Sequence, residues 1–267
     1  MKNFDQAVNN ILEMFKAQNF PKQLSITIIR KSQEEPAIPS DKWSILNRML
    51  MVMVGRTLDA RTFKQWEVAE RHVKKGAKSF PIIAPITKKI TDKETGEEKI
   101  KLIGFRAMPV FPVELTDGKP LPAFDYTPAD IPLSSQKLTK VIEKLGGTVR
   151  WAPIRGNALG FYRPSDKSIT LSSPEFVTFA HEASHFVHDT IENILLVDPQ
   201  KAEIIAELGA SVLCEIVGEH GYEQQSYQYI QSYCRDKEPK AVLSAINSVL
   251  TTVEKIINII ISNIDKD

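Results

Sequence analysis

His181 and His185, with Glu182 beside the first, form a His-Glu-x-x-His run. Residues four apart on a helix share a face, so the two imidazoles can meet one ion while Glu182 faces the space beside it. The chemistry this suits is metal-assisted hydrolysis. Zinc held by three protein groups keeps one position for water, lowers that water's pKa and polarises a carbonyl, and the glutamate takes and delivers the proton. Multiplying residue frequencies, such a run arises by chance in about one chain of this length per hundred, so it is a fairly specific signal. The third ligand is expected from the following helix, where Glu203 and Glu207 lie four apart among Ile204, Ile205 and Leu208. Either can bind. Glu203 is favoured as the ligand and Glu207 as the carboxylate that orients His181, because a ligating imidazole needs a partner on its other nitrogen. His188 is a weaker alternative ligand, since one helix does not readily aim three side chains at one ion. Tyr162, Arg163 and Tyr222 are candidates to stabilise an oxyanion, though packing or surface contact would account for each.

The elements that must hold these residues can be read from periodicity and breakers. Ser173-Pro174 starts a helix that runs to about Leu195, directly after a strand at Ser168 to Leu171. Further helices are expected at Pro199 to Glu219, Glu223 to Cys234 and Pro239 to Ile264. Upstream lie a helix at Ser135 to Leu145, a strand at Thr148 to Trp151 and a turn at Pro164-Ser165-Asp166. The first half predicts helices over residues 3 to 17, from Ser40 or Asp41 to Val54, and from Thr62 to Val73. Strands at Ser79 to Thr87 and Lys99 to Val110 then flank a Thr95-Gly96 turn. Residues 112 to 133 carry five prolines and read as extended chain. The expected fold class is α+β in two domains. Residues 1–120 form an α+β domain, 121–133 a linker, and 134–267 a mainly helical domain with a small sheet.

Composition excludes collagen-like and largely disordered classes. The net charge of +1 hides an asymmetry: residues 1 to 120 hold 21 Lys and Arg against 14 Asp and Glu, a net of +7, and residues 121 to 267 hold 13 against 19, a net of −6. A basic half suggests a polyanionic partner. Within it Lys64, Arg71, Lys74, Lys75 and Lys78 surround Phe63 and Trp66. Cations that track phosphates beside aromatic faces that stack bases are what sequence-tolerant binding of single-stranded nucleic acid requires. Core aromatics with a solvated lysine face would give the same composition. Cys214 and Cys234 have neither metal-ligand spacing nor disulfide density, which favours a reducing, cytoplasmic setting. No signal peptide is expected. Residues 242 to 264 are interrupted by polar groups and read as an amphipathic helix rather than a membrane span.

The order of motifs resembles the ArdC-type antirestriction proteins of conjugative plasmids and related mobile elements. The run Arg61 to Glu70, then Val73 to Lys78, then Val110 to Glu114 is similar to their single-stranded-DNA-binding domain. Phe161 to Leu171, His181 to His185, Ala202 to Ala210 and Gly221 to Ile230 are similar to their zincin-like metallopeptidase domain. The resemblance covers about residues 3 to 260. It implies a protein that acts in a recipient cell on incoming single-stranded DNA and protects it from restriction, with a gluzincin-like zinc site and an unidentified protein substrate. Two departures stand out: Ala183 replaces a larger apolar residue, and the family's further histidine falls at Asp189, with His188 one place early. A DNA-binding protective protein with a structural or vestigial metal site is one alternative. A repressor-cleaving peptidase whose first half recognises protein is another.

Overall fold

The structure is a computed structural model and describes residues 9, 10, 13, 20–32, 38–91, 98–121, 131–219 and 239–265. The helix expected over residues 3 to 17 falls largely outside these residues. The Thr95-Gly96 turn, the helix expected at 223 to 234, Tyr222 and Cys234 lie wholly outside them. The architecture is α+β, and the chain divides into two compact units: Met1–Met14 with Pro36–Phe124, and Phe15–Glu35 with Asp125–Asp267.

In the first unit a 3-10 turn, Pro39–Lys42, precedes helix α2, Ile45–Met53. The sequence pattern runs these together. Extended backbone at Trp43 separates them, and the Ser44 side chain caps α2 by accepting from the Asn47 N–H. Strands β3, Phe80–Thr91, and β4, Glu98–Pro112, pair as a long antiparallel ribbon with a bulge between Ile86 and Thr87. Strand β1, Ala60–Arg61, adds to the base of β4. Met51, Val52, Ala60, Phe80, Ile82 and Val110 form the core where α2 meets this sheet. The helix expected over Thr62 to Val73 is shorter. Helix α3, Phe63–Val68, starts on a Thr62–Gln65 capping box. The left-handed backbone of Glu70 then ends it, and Arg71–Val73 continue as strand β2. Strand β2 pairs with β5, Thr116–Gly118, so the start of the proline-bearing stretch is sheet.

The second unit also contains helix α1, Phe20–Ser32, which packs against helices α6, Pro199–Val217, and α7, Pro239–Asn263. No helix is expected here from the sequence; its buried Leu24, Ile28 and Ile29 belong to the second core. Helix α4, Ser135–Lys144, leads into strand β6, Thr148–Trp151. Strands β7, Gly160–Arg163, and β8, Ser168–Leu171, follow, and the sheet order is β6-β8-β7, with β8 parallel to β6 and antiparallel to β7. Helix α5, Phe176–Ile191, runs from this sheet and packs along α6. It ends earlier than expected. Asp189 accepts from the Ile194 N–H at 2.9 Å, and Asn193 caps a separate 3-10 turn, Ile194–Leu196. Helix α6 begins on the Asp198 cap with Pro199 in its first turn and stops at Gly218, whose φ of 82° suits a glycine. Within α7, Ala245–Asn263 is apolar and long enough to cross a membrane, but half of it is buried. Leu250, Val253, Ile256, Ile257 and Ile260 are sealed in the unit's core.

The Asn47 carboxamide grips β3 by donating to the Ile83 C=O at 2.7 Å and accepting from the Ile83 N–H at 2.8 Å, both buried. Asn47→Ala leaves both groups unpaired. Denaturant unfolding is expected to show a loss of roughly 2–6 kcal/mol, from about 1–3 kcal/mol for each buried polar group left without a partner.

Candidate functional site

Helix α5 presents His181 and His185 one turn apart, their Nε2 atoms 3.2 Å from each other. Glu203 on α6 reaches both: its Oε2 lies 3.4 Å from His181 Nε2 and its Oε1 3.4 Å from His185 Nε2. A tetrahedral ion with bonds of about 2.1 Å sets neighbouring donors about 3.4 Å apart. The three spacings match that geometry. Two imidazoles and a carboxylate are a donor set that zinc and other divalent first-row metals accept.

Helix α6 packs against α5 with Gly209 facing Ser184. A Cβ on Gly209 would fall 2.5 Å from Ser184 Oγ and 3.1 Å from its Cβ, so a larger residue there would have to displace the Ser184 side chain or the helices. Ser184 turns its hydroxyl back to the Ala180 C=O at 2.8 Å and adds no unpaired polar group. The Glu203 carboxyl is held well below the usual carboxylate range by hydrogen bonds from His181 and His185. Burial opposes a charge on His181, but the Glu203 hydrogen bond and the charges of Glu182, Glu203 and Glu207 together raise its pKa. Glu207 lies one turn further along α6 and is half-buried. Burial raises its pKa, and it acts on His181 through charge. No hydrogen bond joins them in the structure, so the expected orienting contact is not formed.

Glu182 is buried, 9% exposed, and burial raises its carboxyl pKa although the two histidines and the Tyr162 backbone N–H oppose the shift. It lies under β7: a Cβ on Gly160 would stand 3.0 Å from Glu182 Cγ. Strand β7 was not legible in the sequence, and Gly160 was its one signal, a glycine where a backbone comes close to a functional side chain. Glu182, the two histidines and Glu203 share a cleft of ≈ 500 Å³ with Phe161, Tyr162, Ile194 and Val197. At its rim Leu195 is 75% exposed. The Tyr162 hydroxyl donates to Asp189 at 2.7 Å, and burial and then Asp189 raise its pKa. Arg163 faces Asp166 at the surface. His188 is fully buried and pairs with Glu192 at 3.0 Å, outside the donor cluster. Burial pushes the Cys214 thiol up to about 12, which makes it an inert core group.

The residues expected to meet nucleic acid divide. Phe63 is 52% exposed, and Lys64, Lys75 and Lys78 are exposed. Lys74 is at the surface with Asp117 3.3 Å away. Trp66 is completely buried and donates its indole N–H to the Phe111 C=O at 2.9 Å, while the Arg61 guanidinium covers its ring at 4.6 Å. No base can stack there, so Trp66 is a core residue. Arg71 is committed as well: Nε donates to Thr116 Oγ1 at 2.8 Å and the terminal nitrogens to the Thr116 and Lys119 carbonyls. It fastens β2 to β5.

Residues 9–111 match the N-terminal domain of anti-restriction factor ArdC. Over the whole chain the fold is that of the antirestriction ArdC protein from the R388 plasmid. Its Mn(II)-bound crystal structure aligns with a TM-score of 0.59 at 19% identity, covering 98% of each chain. Its metal-free crystal structure aligns with a TM-score of 0.54 at 20% identity, covering 84% of this chain and 85% of that one. No protein of curated function matches in sequence.

Gly209→Val places methyl groups against Ser184 and should force α5 from α6, destabilising the chain by about 1–3 kcal/mol and weakening divalent-metal binding with it. Gly160→Ala crowds Glu182, Thr178 and Leu171 but none of the three donors. Titration calorimetry should find its metal affinity unchanged, and a parallel loss in both variants would mean that β7, not the helix crossing, sets the donors.

Proposed function

From a chain that carries an ArdC N-terminal domain and the ArdC fold throughout, we propose an antirestriction-type protein that binds single-stranded DNA through its first unit and bears a zinc metallopeptidase site in its second. The observation that carries the peptidase reading is the convergence of three donors at near-tetrahedral spacing beside a buried glutamate that is not one of them. His181, His185 and Glu203 would hold the ion, which supplies Lewis acidity toward a peptide carbonyl and a water. Glu182 holds and moves the proton. Burial raises its pKa from the ordinary carboxylate range, in the direction a general base and acid at neutral pH needs. Tyr162 borders the same cleft with its hydroxyl held by Asp189, and its backbone N–H fixes the Glu182 carboxylate. Ile194, Leu195 and Val197 give one wall an apolar character that suits an extended peptide with an apolar side chain. The proposed setting is the cytoplasm of a cell receiving DNA, where the first unit's net positive charge favours a polyanion over a protein-only partner.

Glu182→Ala should retain metal and the melting temperature while cleavage of an unstructured protein substrate falls by about 10²–10⁴-fold. Cleavage at the unsubstituted rate by the purified variant would rule out the catalytic role. Glu203→Ala should empty the site by elemental analysis. Glu207→Ala should keep it, weakened by at most about 10- to 100-fold if that residue supports His181. The reverse result would exchange the two assignments.

A further inference from the structure

Beyond Ala84 and Ala107 the β3–β4 ribbon leaves the core of the first unit, and the side chains at 85–89, 101–103, 105 and 106 are exposed, on both faces. We propose that this ribbon is the track on which single-stranded DNA lies, with Phe63 at its base and Phe105 on its arm as the two base-stacking positions and Lys88 and Lys101 as the cations that meet phosphates. The proposal rests on the reading of the first unit as a single-strand binder and names the surface that does it.

Side chains alternate between the faces of a strand. Phe80, Ile82, Met108 and Val110 pack on the core side, so Phe105, Ala107, Pro109 and Phe111 of β4 share the opposite face with Pro81 and Pro85. That face is apolar and partly open: Ile83 on it is buried, but Pro85 and Pro109 are exposed, Phe105 is 40% exposed and Phe63 52%. Phe63 meets Phe111 edge-on with ring centroids 6.5 Å apart, which continues the stripe onto α3. Phe105 to Phe111 spans about 20 Å at about 3.3 Å per residue, a length of several nucleotides.

The charge fits one occupant. Residues 85–106 hold six Lys and Arg against four acids, and the acids all fall within 92–98, which leaves 85–91 and 99–106 purely basic. Lys88 and Lys101 are directly opposed across the ribbon, an arrangement that destabilises a strand pair, and among the described residues neither has an acidic partner. Phosphates would relieve that repulsion. The pair lies past the bulge, on the face opposite Phe105, where long side chains reach a strand that wraps the arm. Edge lysines can also serve merely to block strand-to-strand association, but a ribbon built only for that would not expose Phe105, Leu102 and Ile103, which are 40%, 51% and 56% accessible.

Fluorescence anisotropy of the full chain with labelled oligodeoxythymidylate tests this. Phe105→Ala and Phe105→Leu should both weaken binding, by about 5- to 150-fold for a missing stacking partner, with an unchanged melting temperature because Phe105 lies outside the core. Lys88→Glu with Lys101→Glu should flatten the slope of log affinity against log salt by at least about 0.7 for each phosphate no longer neutralised. If the unsubstituted chain binds the single strand and the phenylalanine variants bind equally well, the ribbon proposal fails while the single-strand reading stands. An unchanged salt slope in the lysine variant likewise overturns it. If the unsubstituted chain shows no preference for the single strand over duplex at moderate salt, the underlying reading fails and the proposal with it.

Discussion

The close crossing of α5 and α6 at Gly209 and Ser184 is the constraint on which the second unit's chemistry depends. Two histidines on one helix make only a partial site, because α5 cannot supply a third donor at tetrahedral spacing; His188, the one candidate, points into the core instead. Glu203 completes the set from α6, which packs on α5 with Gly209 against Ser184. The site is thus a property of helix packing before it is a property of the motif. Strand β7 is the second support, since it covers Glu182 and supplies the backbone N–H that opposes the burial of its charge.

The first unit is organised differently. Its aromatic residues serve two purposes that composition cannot separate. Trp66 closes the base of the sheet with its indole bonded to Phe111, whereas Phe63 and Phe105 remain at the surface. Its arginines divide in the same way: Arg61 is bound to Asp59 at 2.7 Å and stacked on Trp66, and Arg71 fastens a small two-stranded sheet. What remains available to a polyanion is mostly lysine, the strongly hydrated cation suited to screening phosphates without reading sequence.

Much of this was legible in the residues. The His-Glu-x-x-His spacing pointed to the two histidines that stand together with Glu203, helical periodicity located α5, α6 and α7, and the alternating runs located β3 and β4. Glu203 could be preferred to Glu207 but not separated from it, because residues four apart share a face and only the depth of the facing helix decides between them. Trp66 was misread because burial depends on a partner 45 residues away. The end of α3 was missed because nothing in the run from Thr62 to Val73 announces the left-handed backbone at Glu70. Strand β7 escaped because its Gly-Phe-Tyr-Arg run lacks the apolar-polar alternation that marks the equally short β6 and β8, and α1 was not expected because Pro21 reads as a helix stop although it stands in this helix's first turn.

The account stands on three donors that hold one ion. Elemental analysis of the purified full chain after equilibration with zinc, beside His181→Ala treated alike, tests this most directly. One tightly held divalent ion per chain that is absent from the variant is the expected result; equal metal content in the two proteins would contradict it.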